Sequence, residues 1–183
     1  MIAVLAPGYG GTAQQPILRK LARRLEELGV AARPIAFSTR GGRPSRGYAA
    51  ELADLRAARD EMVAAHGGPV LLVGRSFGGR MCAMLAAQEP PAALVLLGHP
   101  IAPPKRPRPA DEAALAAVAC PALVVQGDGD ELGPLPVLER IAGANPNVEL
   151  SVLAGVGHDF GRREDEAVDR AVAWLAATIL PRS

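Results

Sequence analysis

The stretch that decides the fold is Val70–Gly79, which reads Val-Leu-Leu-Val-Gly-Arg-Ser-Phe-Gly-Gly. The four apolar residues predict a buried strand, and the residues from Phe77 onward predict a helix. Ser76 therefore lies in a sharp strand-to-helix turn, the position that a nucleophile elbow gives to its serine. Such a turn strains the serine, and the flanking glycines let the strand and the helix approach closely. The ordinary alternative is a glycine-rich turn in which Ser76 only caps the helix.

Outward from this turn, short apolar runs alternate with longer amphipathic segments. The apolar runs predict strands at residues 2–6, 32–37, 70–73, 93–97, 122–126 and 148–153. The amphipathic segments predict helices at about residues 14–28, 48–65, 76–88, 111–118, 134–142 and 164–179. Strands that are apolar throughout are buried on both faces, and their alternation with helices favours a parallel sheet. We expect one α/β domain over residues 1–183, a three-layer α/β/α sandwich of about six parallel strands in the order 2-1-3-4-5-6.

The composition excludes several classes of protein. Hydrophobic residues make up 49% of the chain and charged residues 21%, which excludes wholesale disorder. The net charge of +1 gives no general attraction to nucleic acid or to a membrane surface. The first residues contain no basic leader, and no apolar run approaches the ~18 residues of a membrane span. We therefore expect a cytoplasmic protein that binds neither nucleic acid nor a membrane.

The cysteines and histidines predict neither a disulfide framework nor a metal site. Cys82 and Cys120 fall in apolar surroundings and are expected to be reduced packing residues. No spacing of cysteine and histidine matches a metal-ligand pattern. We expect no metal and no cofactor.

Polar residues suited to acyl transfer follow three of the predicted strands. Ser76 follows the third strand, Asp128 and Asp130 follow the fifth, and His158 follows the sixth. The carboxyl ends of parallel strands meet at one edge of the sheet, where ligands bind close to the reversal of strand order. A histidine there can accept the serine proton and later return it, while an acid on its other ring nitrogen fixes the tautomer.

Of the two aspartates we favour Asp130 as the acid. It lies three residues past Gly127, far enough beyond the strand end to curl toward the histidine. Asp128 can instead cap the turn through backbone hydrogen bonds. Asp159, next to His158, is expected to face away.

Acyl transfer also needs hydrogen-bond donors for the developing oxyanion. One predicted donor is the main-chain N–H of Phe77, at the start of the helix that follows the serine. The second is expected from the loop after the first strand, because that loop neighbours the Ser76 turn in the order 2-1-3-4-5-6. We assign it to the main-chain N–H of Tyr9, with Gly10 as the alternative. The other interpretation of this loop is a plain glycine-rich turn.

These motifs resemble the α/β-fold hydrolases, in particular small lidless members near dienelactone hydrolase and the hydrolase-like domain of a chromatin-complex subunit. The resemblance covers nearly the whole chain and rests on four stretches: 74–80, 97–100 with 103–104, 124–130 and 157–160. It implies a minimal α/β-hydrolase fold without a lid. It also implies a serine hydrolase acting on a small ester or thioester, with Ser76, Asp130 and His158 as its catalytic residues.

Two departures limit what the resemblance implies. Dienelactone hydrolase uses a cysteine where this chain has Ser76, so lactone specificity is not carried over. Many relatives have His-Gly in the first loop, where this chain has Pro7-Gly8-Tyr9.

Some members of the group are regarded as interaction domains, so a catalytically silent interaction protein is the alternative function.

A nucleotide-binding interpretation is a further, less favoured alternative. Residues 8–13 fit G-x-G-x-x-A after a first strand, and Arg40 just past the second strand suits the 2′-phosphate of NADP. Pro7 before the motif suits a turn better than a dinucleotide cradle. The sequence also predicts neither an acid nor a second domain to hold a substrate.

Two groups of side chains at the predicted edge bear on the substrate. Aromatic residues predict an apolar pocket, with core packing as the alternative, and they are Tyr9, Phe37, Tyr48, Phe77 and Phe160. Basic residues favour a carboxylate or phosphate near the ester, with solvated loops as the alternative, and they are Arg40, Arg43, Arg46, Arg75, Lys105, Arg106 and Arg108. The candidate substrate-binding residues are Arg40, Arg75, His99 and Phe160.

Overall fold

The computed structural model describes residues 1–179, so the last four residues of the predicted 1–183 domain lie outside the described part. Strands and helices alternate along the described residues. The strands are β1 (Ile2–Ala6), β2 (Ala31–Pro34), β3 (Val70–Arg75), β4 (Ala93–Leu97), β5 (Ala122–Gly127) and β6 (Val148–Leu153). The helices are α1 (Pro16–Glu27), α2 (Ala49–His66), α3 (Phe77–Gln88), α4 (Pro109–Ala116), α5 (Leu135–Ala144) and α6 (Glu164–Thr178). Single 3₁₀ turns, Arg46–Tyr48 and Gly161–Arg163, precede α2 and α6.

The strands form one parallel sheet in the order β2-β1-β3-β4-β5-β6, which confirms the predicted topology. β1 pairs with both β2 and β3, so the order reverses there and the loop after β1 lies beside the turn after β3. In register, Ala6 pairs with Gly74, and Gly127 pairs with Leu153. The carboxyl ends of these strands therefore lie along one edge of the sheet, where the predicted site residues follow them.

Helices cover both faces of the sheet and give the three predicted layers. Successive side chains of a strand point to opposite faces, so a strand that is apolar throughout contributes to two cores. Along β1, Ile2 and Val4 pack on the face covered by α2, α3, α4 and α5, whereas Ala3 and Leu5 pack under α1 and α6. Cys82 and Cys120 are buried and unlinked. Over residues 1–179, no helix combines the length and the apolar character that a membrane crossing needs.

Most elements begin or end one to three residues away from their predicted bounds, and two of these differences have a clear physical reason. The strand predicted at 32–37 ends at Pro34, although Ile35 and Phe37 beyond it are buried in the core. An apolar pattern reports burial rather than strand pairing, so it overextends this edge strand. α4 begins at Pro109 rather than at Asp111, because proline is well suited to the first position of a helix. The connection between β4 and α4, residues 98–108, contains no helix or strand.

Candidate active site

The turn after β3 has the strained geometry that the sequence predicts. Ser76 has φ 50° and ψ −113°, a conformation that non-glycine residues rarely adopt. The glycines are required by close packing, since a Cβ on Gly74 would lie 2.3 Å from the Cα of Gly79. A Cβ on Gly78 would lie 2.3 Å from the carbonyl oxygen of Ala6. Ser76 makes no side-chain capping hydrogen bond to α3, so its hydroxyl is available to another partner.

That partner is the imidazole of His158. The Oγ atom of Ser76 lies 2.8 Å from Nε2 of His158, and Nδ1 of His158 lies 2.8 Å from Oδ2 of Asp130. The carboxylate side chain is fully buried, whereas the histidine side chain is 25% exposed. The structure thus brings together the three residues that the sequence selects from three separate strand ends.

Asp130 is held by a second set of hydrogen bonds that the sequence analysis missed. The Nε2 of Gln126 donates to Oδ2 of Asp130 at 2.7 Å, and the main-chain N–H of Leu132 donates to Oδ1 at 2.9 Å. The Oε1 of Gln126 accepts the main-chain N–H of His99 at 2.7 Å, which ties β5 to the loop after β4. A polar amide at the end of the apolar run of β5 was the available signal, because a buried amide requires partners.

The two neighbouring aspartates, Asp128 and Asp159, lie in the positions that the sequence predicts for them. Asp128 accepts the main-chain N–H groups of Gly155 at 2.7 Å and Val156 at 3.2 Å, and so fixes the loop after β6. Asp159 is exposed. Of the three aspartates, only Asp130 contacts the imidazole, as its spacing from β5 predicted.

Arg75 lies behind the serine and contacts the histidine loop. Its Nη2 donates to the carbonyl oxygen of His158 at 2.6 Å, and its Nη1 donates to the carbonyl oxygens of Leu97 and Gly98 at 3.2 and 3.4 Å. Nη1 also lies 3.4 Å from Nε2 of His158. The guanidinium stands over the ring of Phe160, 5.4 Å from its centroid. Burial lowers the pKa of Arg75 below its ordinary value.

Arg80, one helical turn beyond the serine, forms a buried ion pair that the sequence analysis missed. Its Nε and Nη2 donate to the two carboxylate oxygens of Asp111, and Nη2 also donates to the hydroxyl of Tyr48 at 2.7 Å. The guanidinium lies 4.9 Å from the centroid of the Tyr48 ring. Burial acts against its charge, but the hydrogen bonds of Asp111 and Tyr48 outweigh burial and leave the pKa of Arg80 raised.

The loop after β1 lies directly against the serine turn. A Cβ on Gly8 would lie 3.6 Å from the Cβ of Ser76. The Gln15 side chain accepts the main-chain N–H of Gly8 at 2.9 Å, and the Gly11 N–H closes a turn onto the Gly8 carbonyl at 2.9 Å. Gln15 is a further residue that the sequence analysis missed, because its bond spans the loop rather than following a local pattern.

The same loop offers free donors beside the serine. Among residues 1–179, the main-chain N–H groups of Tyr9 and Gly10 have no protein acceptor. The N–H of Phe77 opens α3, where the first amides of a helix lack an intrahelical acceptor. α1 begins only at Pro16, so the glycines of the loop do not form the helix N-terminus that a dinucleotide pyrophosphate needs. This geometry argues against the nucleotide-binding interpretation.

A cleft of about 940 Å³ opens from Ser76 along one face of α3. Ser76, Arg80 and Met84 recur every fourth residue and therefore share that face. The rings of Tyr9, Tyr48 and Phe77 form part of the wall. Tyr9, Tyr48 and the buried Phe37 each contact the ring of Phe77 edge-on. A further part of the wall comes from the connection between β4 and α4 and from the start of α4, with Pro100, Arg106, Pro107, Arg108, Pro109, Ala110 and Asp111.

The four candidate substrate-binding residues do not line this cleft. Arg40 lies at a separate shallow recess beside the first loop. The other three are almost completely buried, with His99 at 0%, Phe160 at 2% and Arg75 at 6% exposure. Their positions after strand ends therefore did not predict exposed side chains. The guanidinium of Arg75 covers the ring of Phe160, and the ring of His99 packs against Gly79 in the first turn of α3. Arg43, Arg106 and Arg108 of the predicted basic set do line the cleft.

Known proteins resemble this chain in sequence and in fold. A sequence profile described as an alpha/beta hydrolase domain matches residues 1–179. An uncharacterised protein of Mycobacterium tuberculosis is 30% identical over 172 residues, covering 82% of this chain and 60% of that protein. The chain therefore spans less than two thirds of the length of the curated relatives it matches.

Solved structures share the architecture. An α/β serine hydrolase homologue from Coxiella burnetii is 28% identical with a TM-score of 0.81, over 96% of this chain and 85% of that one. A serine hydrolase without a lid from Xanthomonas campestris is 21% identical with a TM-score of 0.77, over 100% of this chain and 84% of that one. The second likeness concerns the fold alone. The particular resemblance to dienelactone hydrolase stays a prediction.

Proposed function

The chain belongs to the α/β-hydrolase family, and on that premise we propose that it is a serine hydrolase that cleaves a small ester or thioester through an acyl-enzyme on Ser76. One observation carries the proposal. A strained, half-buried serine, an imidazole and a buried carboxylate form a continuous hydrogen-bonded line at the mouth of an open cleft. Serine hydroxyls are weak nucleophiles unless such a base and its orienting acid stand beside them.

In the acylation step, Oγ of Ser76 attacks the substrate carbonyl while Nε2 of His158 takes its proton. Asp130 accepts the Nδ1–H of the ring and so selects the tautomer whose Nε2 is free to act as the base. The resulting imidazolium faces a carboxylate that Gln126 and Leu132 already hold in place. His158 then returns the proton to the leaving alcohol or thiol.

The oxyanion is stabilised by main-chain N–H groups on both sides of the serine. We assign them to Phe77, at the positive end of α3, and to Tyr9, with Gly10 as the alternative. Their support is the contact of the Gly8 turn with Ser76 and the lack of competing protein acceptors within residues 1–179. Donors of this kind, fixed before the reaction, contribute a large share of catalysis in acyl transfer.

Deacylation reverses these roles with water as the nucleophile. The histidine side chain is partly exposed, and the cleft is open to solvent, so water can approach the acyl group on Ser76. His158 activates that water as a general base and returns its proton to the serine.

A fluorophosphonate probe tests the proposal. The wild-type chain should be labelled covalently, and Ser76→Ala should abolish labelling while leaving the folded state intact by circular dichroism. Ser38→Ala is the matched control, because its hydroxyl also contacts a carboxylate, Asp54, but has no imidazole beside it. A folded wild type that resists the probe would refute the proposal and favour the silent interaction protein.

A further inference from the structure

The charge of the cleft is strongly one-sided. Its lining contains four arginines and a single acid, Asp111. Asp111 is already paired with Arg80. The other three arginines, Arg43, Arg106 and Arg108, form no ion pair with a carboxylate anywhere in residues 1–179. The connection between β2 and α2 and the connection between β4 and α4 therefore present unneutralised guanidinium groups to the cavity.

Arg108 shows that these charges are assembled at an energetic cost. Its side chain is half-buried, and its Nη1 donates to the carbonyl oxygen of Pro100. Burial lowers the pKa of Arg108, and the charges of Arg80 and Arg106 lower it further, while Asp111 opposes them. A bound anion would relieve this repulsion, because a guanidinium binds a carboxylate or phosphate with two parallel hydrogen bonds.

The lining residues along α3 limit the shape of the ligand. Arg80 lies one helical turn from Ser76, about 5.4 Å along α3, and Met84 lies one turn further. The surfaces of Tyr48, Phe77 and Met84 along the same path are largely apolar. A ligand that reaches from the serine into the cleft therefore meets these apolar surfaces together with the guanidinium groups of the lining.

We propose that the cleft accepts an amphiphilic ester or thioester whose acyl chain carries an oxyanion, a carboxylate or a phosphate, bound by Arg106 and Arg108. This inference rests on the proposed function, because it places the reacting carbonyl at Ser76. It refines the sequence-based interpretation of the basic loops, since Arg40 lies outside the cleft and the connection between β4 and α4 supplies the charge.

Two esters of equal chain length provide the test: 4-nitrophenyl hemiglutarate, which has a terminal carboxylate, and 4-nitrophenyl pentanoate, which does not. The wild type should favour the anionic ester about tenfold in kcat/KM, as expected for one charge-assisted contact. The double variant Arg106→Gln/Arg108→Gln should lose that preference. Lys105→Gln is the matched control, because it removes one charge from the same loop at a position outside the cleft lining.

A binding measurement separates the anion site from turnover. Calorimetry on Ser76→Ala compares the non-hydrolysed amides N-(4-nitrophenyl)glutaramic acid and N-(4-nitrophenyl)pentanamide, with inorganic phosphate and acetate as competitors. The glutaramic acid should bind about tenfold more tightly, and the stronger competitor identifies the oxyanion as phosphate or carboxylate.

The outcomes distinguish the two proposals. Hydrolysis of the pentanoate with no gain from the carboxylate in either assay would overturn the anion site and leave the proposed function standing. Tighter binding of the glutaramic acid without hydrolysis of either ester would support the anion site and count against the proposed function. An equal loss of preference in Lys105→Gln would show general charge steering and overturn the assignment to Arg106 and Arg108.

Discussion

Two arginines on either side of the same serine have equal burial and opposite surroundings. Arg75 and Arg80 are each 6% exposed, one immediately before Ser76 and the other one helical turn after it. Arg80 has a carboxylate partner in Asp111, and its pKa is raised. Among residues 1–179 Arg75 has no carboxylate partner: it donates to carbonyl oxygens, and its Nη1 lies 3.4 Å from Nε2 of His158. Burial lowers the pKa of Arg75.

The difference separates a structural role from a positioning role. A buried cation with its own carboxylate stabilises the join of α3 and α4 and leaves little net charge. A buried cation without a carboxylate partner acts on the other groups around it, here the loop that contains His158. We therefore expect substitutions at the Arg80 pair to act mainly on stability, and substitutions at Arg75 to act mainly on catalysis.

The largest effect is expected from Asp111→Ala, which leaves Arg80 buried without a carboxylate. Removing one partner of a buried pair typically costs about 3–5 kcal/mol in the free energy of unfolding. Urea denaturation measures the loss. Glu112→Ala is the matched control, because this neighbouring acid pairs with Arg140 near the surface and should cost less than about 1 kcal/mol. Equal losses in both variants would contradict the role given to Arg80.

His99, a third buried base at this edge, extends the comparison to pH. Its ring nitrogens have no hydrogen-bond partner within residues 1–179, and burial lowers its pKa from about 6.5 to about 4. Between those values the unfolded chain binds a proton that the folded chain does not. Stability should therefore fall by about 3 kcal/mol as the pH falls from 6.5 to 4.

His99→Leu and His99→Gln isolate this contribution. Both variants should lose less stability than the wild type over that pH interval, measured by urea denaturation at matched ionic strength. Stability curves that run parallel for the wild type and both variants would show that His99 does not resist protonation.

A smaller effect, on activity, is expected from Arg75→Met. Losing the bond to the His158 carbonyl loosens the histidine loop, and a misplacement of that kind costs about tenfold to a hundredfold in kcat. KM for 4-nitrophenyl pentanoate should change little, and Arg75→Lys should restore only part of the rate, because an ammonium lacks the planar fork. Arg46→Met, an exposed arginine at the same edge, is the control. A loss of stability without a loss of kcat would remove the distinction between the two arginines.

Much of this site could be predicted because it follows from local pattern and topology. Alternating apolar and amphipathic segments predicted the parallel sheet. The reversal of strand order beside β1 predicted that the first loop lies next to Ser76. Spacing past the strand end was enough to favour Asp130 over Asp128. Asp128, directly after Gly127, binds the main chain of the loop after β6, whereas Asp130 reaches the imidazole of His158. These features depend on backbone direction, which short sequence patterns record well.

What could not be predicted depends on contacts between distant side chains. Arg80 meets Asp111, and the amide of Gln126 that supports Asp130 also binds the main chain of His99, but no spacing in the sequence links these partners. A place after a strand end predicts where a residue lies along the edge of the sheet, but not how deeply its side chain is buried. For this reason His99 and Phe160 were expected in the cleft, although both side chains are buried.

Capture of the covalent intermediate tests the central claim most directly. Acid-quenched mass spectrometry during turnover of 4-nitrophenyl pentanoate should show one added pentanoyl group, and digestion should locate it on the peptide that contains Ser76. The adduct should be absent in Ser76→Ala, and its breakdown should be slowed in His158→Ala. Turnover without an adduct, or an adduct on another residue, would contradict the account.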